Sequence, residues 1–188
     1  MYHTVKIGTQ TWMAENLKVT KYRNGDAIPN VTDGTEWRYL TTGAYCDYEN
    51  STSNSTVYGK LYNWYAVADS RNIAPTGWHV ASDAEWTTLT TFLGGEEVAG
   101  GKLKEKGTAH FRSPNLGATN ETGFTALPAG GRNSGGNFGI LGCNAVFWSP
   151  TDNNGSLAWR RYLSYGFSNV KRQNFTKVNG FSVRCLKD

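Results

Sequence analysis

Residues 82–95, SDAEWTTLTTFLGG, carry the clearest local signal in the chain. Ser82 stands three residues before Glu85, the spacing of a capping box. In that motif the Ser side chain accepts from the Glu backbone N–H, and the Glu side chain accepts from the Ser N–H. Trp86, Leu89 and Phe92 follow at three-residue steps and share one helical face, and Gly94-Gly95 supply the reversal that ends a helix. The stretch predicts a helix entered at Ser82, with Trp86 turned into the core.

Outward from this helix the pattern changes on both sides. Upstream, Tyr58, Leu61, Tyr62, Tyr65 and Ala66 recur at three- and four-residue steps, predicting an earlier helix over about 59–69. The run Asn50 to Thr56 reads as an exposed tip. Residues 20–57 read as ordered loops and short strands whose isolated rings (Tyr22, Trp37, Tyr39, Tyr45 and Tyr48) plug into the core. The opening HTVKIGTQTW alternates apolar and polar until Gly8-Thr9, which predicts strand, turn and strand. A weaker helical turn is expected around Glu96 to Glu105. From Gly107 onward Gly, Asn and Pro recur every few residues. GFTALPAG (123–130), AVFWSP (145–150), AWRRYLSY (158–165) and GFSVRCLKD (180–188) read as strands joined by turns. The chain is therefore expected to be α+β, with two helices early and antiparallel strands and long loops late.

Composition narrows the function. A length of 188 residues fits one domain, and 8 Phe, 7 Trp and 10 Tyr among 38% apolar residues predict an aromatic, loop-rich core and argue against disorder. A net charge of +4 with scattered Lys and Arg gives no basic stripe, so nucleic acid is set aside as a partner. No stretch reaches the length of a membrane span, and Met1 to Gly8 lacks the regions of a signal peptide, so no membrane insertion by this domain is expected. Either the protein is cytoplasmic or the sequence begins after an export signal.

Five motifs in order, VKIGTQTWMAENL (5–17), YGKLYNWYAV (58–67), APTGWHVASDAEW (74–86), ETGFTALPAGGRN (121–133) and NGFSVRC (179–185), resemble the Fibrobacter succinogenes major paralogous domain from Val5 to Asp188. The resemblance implies a setting in surface and secreted proteins of Fibrobacter and Bacteroidetes. It also implies a C-type-lectin-like single domain, distantly similar to formylglycine-generating enzyme, with paired N- and C-terminal strands. Many members carry Cys where this chain has Ala74, and Pro where it has Ala81. That leaves the pairing of Cys46, Cys143 and Cys185 open, with at least one thiol free.

Catalytic and metal chemistry find little support in the residues. His3, His79 and His110 stand singly, and His79 is expected to be packed and hydrogen-bonded in a structural role. The run GGRNSGGNFGILG (130–142) lacks the Lys-Ser or Lys-Thr of a phosphate loop and reads as a turn region. Asp152, Asn153 and Asn154 offer one carboxylate and two amides, a poor set for calcium and a good one for an Asx turn, so no cofactor is expected. The chain is read as a non-enzyme; a structural module and a formylglycine-generating-enzyme-like oxidase are the alternatives.

The segment from about 143 to 179 stands out instead. Strand alternation sends Trp159, Arg161, Leu163 and Tyr165 to one face and Arg160, Tyr162 and Ser164 to the other; Phe181, Val183 and Cys185 also share a face. With Trp159 and Leu163 inward, Arg160, Tyr162 and Ser164 are expected outward. Arg161, on the inward face, is expected to be paired with a carboxylate or backbone carbonyls. Asn144, Val146, Phe147, Arg160, Tyr162, Phe167, Asn169, Asn174 and Phe175 are the expected ligand-binding residues, because exposed aromatic and Arg side chains dominate binding surfaces. The expected partner is a surface protein or glycan of another cell or host, met outside the cell or, alternatively, on a phage virion. The segment also resembles the variable region of retroelement-diversified lectin-fold proteins. Lys171, Gln173 and Lys177 fall outside the residues such diversification produces and would be scaffold.

Overall fold

In a computed structural model that describes residues 2–188, the alternating opening folds back at Gly8 as a hairpin, β1 (Thr4–Ile7) against β2 (Gln10–Met13). Next come α1 (Gly34–Arg38), β3 (Tyr45–Cys46), a 3-10 turn at Tyr48–Asn50, α2 (Thr52–Tyr58), β4 (Leu61–Tyr62), α3 (Trp64–Val67) and β5 (Trp78–Val80). Then α4 (Asp83–Phe92) and α5 (Glu96–Leu103) precede a run of strands: β6 (Gly131–Arg132), β7 (Phe138–Gly139), β8 (Asn144–Asn154), β9 (Leu157–Ser164), β10 (Val170–Thr176) and β11 (Cys185–Lys187). The architecture is α+β with antiparallel sheets. One sheet has four strands in the order β1-β2-β11-β5, so the last strand lies between the first hairpin and β5, with Leu186 opposite Trp12. A three-stranded sheet, β10-β9-β8, stands apart from it.

The capping box forms as its spacing requires: Ser82 Oγ accepts from Glu85 N at 3.3 Å, and Glu85 Oε2 accepts from Ser82 N at 2.8 Å. It aims Trp86 into a cluster of buried rings, with centroids 4.9 Å from Trp12, 5.7 Å from Phe124 and 5.3 Å from Phe147. Phe92, expected on the same face, is instead 64% exposed and lies over the β1–β2 turn against Gly8. Its step around the helix carries it past the edge of the core.

The helix expected over 59–69 does not form. Leu61 and Tyr62 are drawn into a ladder with Tyr45 and Cys46, and Tyr62 also exchanges backbone hydrogen bonds with Phe181. Only α3 remains, capped by Asn63, while the expected tip at 50–56 contains α2. Tertiary pairing overrides the local period because these side chains are buried between separate neighbours rather than along one stripe. Among the loop rings, Tyr22, Trp37, Tyr45 and Tyr48 are buried as expected and Tyr39 is exposed. GFTALPAG contributes an isolated bridge, Lys104 with Ala126, rather than a strand.

Residues 179–183 link the pieces. Gly180 exchanges hydrogen bonds with Arg132, Phe181 with Tyr62, and Ser182 with the edge of β8, before the chain enters β11. Phe181, Val183 and Cys185 share one apolar cluster as the alternation requires. Cys46, Cys143 and Cys185 all carry free thiols.

The three-stranded sheet corrects the reading of its faces. Ala145, Phe147 and Leu163 pack on the cluster around Trp86, whereas Val146, Trp148 and Ala158 belong to a second cluster with Tyr62 and Phe181. Both faces are therefore covered where β8 meets β9, and there alternation sorts residues between two cores rather than between core and water. Arg160 and Ser164, expected outward, are buried, and Trp159, expected inward, is only half-buried under the Arg172 guanidinium. Arg161 is buried and paired with the Asp83 carboxylate, as expected of a charge on a core face.

Candidate functional site

Where the second cluster thins toward the end of the sheet, a cleft of about 310 Å³ opens between the β6–β7 hairpin and the β8–β9–β10 sheet. Its hairpin wall is shaped by local sequence. Asn133 Oδ1 accepts from Gly135 N at 2.9 Å and Asn137 N at 3.0 Å, closing the turn between Arg132 and Phe138. Gly136 in that turn has φ +85°, and a Cβ there would meet Gly34 O at 2.2 Å, so no side chain fits. Arg132 lies buried under the hairpin, stacked on Trp37 and Phe138, with its guanidinium given to the carbonyls of Val31, Thr32 and Gly136.

The opposite wall is the cleft face of the sheet. Trp148, Arg160 and Gln173 occupy one cross-strand row and Val146, Tyr162 and Lys171 the next. Exposed Phe175, half-buried Tyr162 and buried Phe181 give apolar walls. Between them lies Arg160, 7% exposed, with its guanidinium carbon 4.0 Å from the Phe175 centroid and 5.0 Å from that of Phe181. Nη2 donates to Gln173 Oε1 at 3.0 Å, and Nε is buried without an acceptor. Burial pushes this guanidinium down to about 10, with Tyr162 opposing the shift, so it remains charged at neutral pH. Asn144, at the start of β8, is buried with its Oδ1 unpartnered. Among the described residues no Asp or Glu lines the cleft.

Of the residues expected to bind ligand, the structure brings Asn144, Arg160, Tyr162 and Phe175 to this one place. Val146 and Phe147 are fully buried, one in each core, and present nothing to a ligand. Phe167 and Asn169 lie in the β9–β10 turn, and Asn174 pairs with Trp159 on the other face of the sheet. Lys177 is buried, held by Asp152 at 3.0 Å and the Gly155 carbonyl, so that carboxylate is engaged by an ammonium. His79 is bridged between Glu85 and Asp188 at 2.8 and 2.6 Å, the packed role expected of it. The sequence reading missed Arg132, Asn137, Ile140 and Asn179 of the cleft. The signal available was the Arg-Asn pair set among glycines at 130–136, a cation and an amide in a segment otherwise built for a tight turn.

Fold and site together define a class: an α+β domain of antiparallel sheets and long loops, with an apolar-walled cleft around a buried cation. A family model for the Fibrobacter succinogenes major domain matches residues 5–187, and the chain belongs to that family. Searches of curated proteins and of solved structures return no significant match. Among the described residues no helix is long and apolar enough to cross a membrane.

Proposed function

We propose that this chain is a non-catalytic recognition domain, displayed outside the cell or on its surface, that binds a glycan or protein ligand in the Arg160 cleft. The observation that carries this reading is a buried guanidinium with one acceptor, set among rings at the floor of an open cleft. A protein does not bury an unsatisfied cation without cost, and a ligand group that completes its hydrogen bonds offsets that cost. The non-catalytic part is supported by the thiols of Cys46 and Cys185, which burial pushes up to about 12, far from a reactive thiolate. A C-type-lectin-like variant of the α+β fold is supported by the N- and C-terminal strands lying side by side. Retroelement diversification gains little support, because Phe167 and Asn174 lie away from the cleft.

The test is a screen of glycan and cell-surface-protein arrays with the parent protein, Arg160→Ala and Tyr162→Ala. Binding by the parent that both variants lose is the expected result. Variants that bind as well as the parent place the ligand elsewhere, and a parent that binds nothing favours a structural module. Fractionation of the native source is expected to find the protein in the outer-surface or extracellular fraction, and recovery from virions would point to phage.

A further inference from the structure

The buried cations of this protein fall into two kinds. Lys104 donates to three backbone carbonyls, those of Leu116, Ser164 and Phe167, at 2.8–2.9 Å. Arg132 donates to three carbonyls, and Arg184 to three carbonyls and Asn16 Oδ1. Arg161 has the Asp83 carboxylate and carbonyl together with Thr87 Oγ1, its Nε unpartnered, and Lys177 has the Asp152 carboxylate and the Gly155 carbonyl. Arg160 has the Gln173 amide alone and takes part in no ion pair among the described residues; Arg132 also lines the cleft, but its guanidinium is already given to carbonyls. The fold thus gives each of the other five either three carbonyls or a carboxylate, and gives Arg160 neither.

We infer that the cleft takes the carboxylate of a hexuronic acid residue in an acidic polysaccharide, with Arg160 reading the carboxylate and Asn144 Oδ1 accepting from a ring hydroxyl. This rests on the recognition reading above and names its ligand class. Three requirements converge on that chemistry. An unpaired guanidinium in a cleft without carboxylates requires an anion, and a planar one matches its fork. Asn144, whose Oδ1 is unpartnered, lines the same cleft and suits a hydroxyl or amide donor of the same ligand. The walls of Tyr162, Phe175 and Phe181 suit the flat C–H face of a sugar ring, and about 310 Å³ has room for about one such residue. A phosphate would meet the Arg160 requirement but has no flat C–H face for the aromatic walls. An acidic peptide would leave the aromatic walls without a flat ring.

The experiment is calorimetric titration of the parent and Arg160→Met with four probes: tri-galacturonic acid, tri-glucuronic acid, tri-galacturonic acid methyl ester and an Asp/Glu-rich peptide. The expected result is binding of at least one uronic oligomer, with the ester weaker by roughly 10- to 100-fold, the worth of a hydrogen bond to a charged group. Arg160→Met should remove that difference while melting at or above the parent temperature, because it removes a cation the protein does not itself satisfy. Equal binding of acid and ester, or tighter binding of the acidic peptide, overturns the uronate assignment and leaves the recognition reading standing. A parent that binds none of the four overturns it as well, and the array screen then decides the broader reading separately. Marked destabilisation of Arg160→Met would make Arg160 a structural residue and also overturn the inference.

Discussion

Asp83 accepts from Arg172 Nε at 2.9 Å and pairs with the buried Arg161, so one carboxylate at the start of α4 is shared by two guanidiniums of the three-stranded sheet. Asp83→Ala strands Arg161 without a counter-charge and is expected to cost roughly 3–5 kcal/mol in a denaturant melt. Burial raises the Asp83 pKa, but Arg172 and Arg161 outweigh it and hold the carboxyl below its ordinary value. Its stabilisation is therefore present above about pH 4 and lost as pH falls through the lowered folded value. Asp83→Asn should flatten that acid limb. His79 behaves oppositely: burial lowers its pKa, yet pairing with Asp188 and Glu85 leaves it raised. Its contribution is complete below about pH 6.5 and disappears as pH rises through the folded value. A melting temperature for His79→Gln that differs from the parent at about pH 5.5 and converges at higher pH is the expected outcome.

At the scale of elements, α4 and α5 depend on different devices. The Ser82 cap holds α4, and Ser82→Ala should cost about 0.5–2 kcal/mol. Trp86→Ala should cost more, roughly 3–5 kcal/mol, because it empties the space between Trp12, Phe124 and Phe147. Helix α5 instead depends on close approach. A Cβ at Gly101 would stand 2.3 Å from Gly117 O, and one at Gly100 would stand 2.3 Å from Asn169 O. Gly101→Ala, worth up to about 1 kcal/mol to an isolated helix, is therefore expected to destabilise the protein in the same melts.

For the whole molecule, the decisive piece is the segment that leads into β11. Residues 179–187 join the β6 hairpin, β4, the edge of β8 and both neighbours of β11, so their loss opens several contacts at once. Removal of residues 185–188 takes out an interior strand of the four-stranded sheet and exposes the edges of β2 and β5. Near-ultraviolet dichroism of that truncation is expected to lose its aromatic signal, and unfolding its cooperativity. A truncated protein with the parent's spectrum would mean that the two outer strands hold without the one between them.

Local chemistry was legible wherever a few adjacent residues decide the outcome. The Ser82–Glu85 box, the Gly8 hairpin, the end of α4 at Gly94 and the pairing of Arg161 follow from spacing, turn geometry and the cost of an unpaired charge. The α+β class and the family follow from the same order of motifs. The segment at 59–69 was not legible, because Leu61 is claimed by Cys46, and Tyr62 by Tyr45 and Phe181, residues distant in the chain. Neither was the exposure of Arg160. A period of two separates the faces of β9 but does not say what covers each face, and here both are covered. The cleft was half legible for the same reason: Asn144, Arg160, Tyr162 and Phe175 come from the strands that were read, while Arg132 and Asn179 arrive from a hairpin and a linking segment. Sequence fixes which neighbours a residue has along the chain, but burial and the completeness of a cation's hydrogen bonds depend on neighbours that only the packed structure supplies.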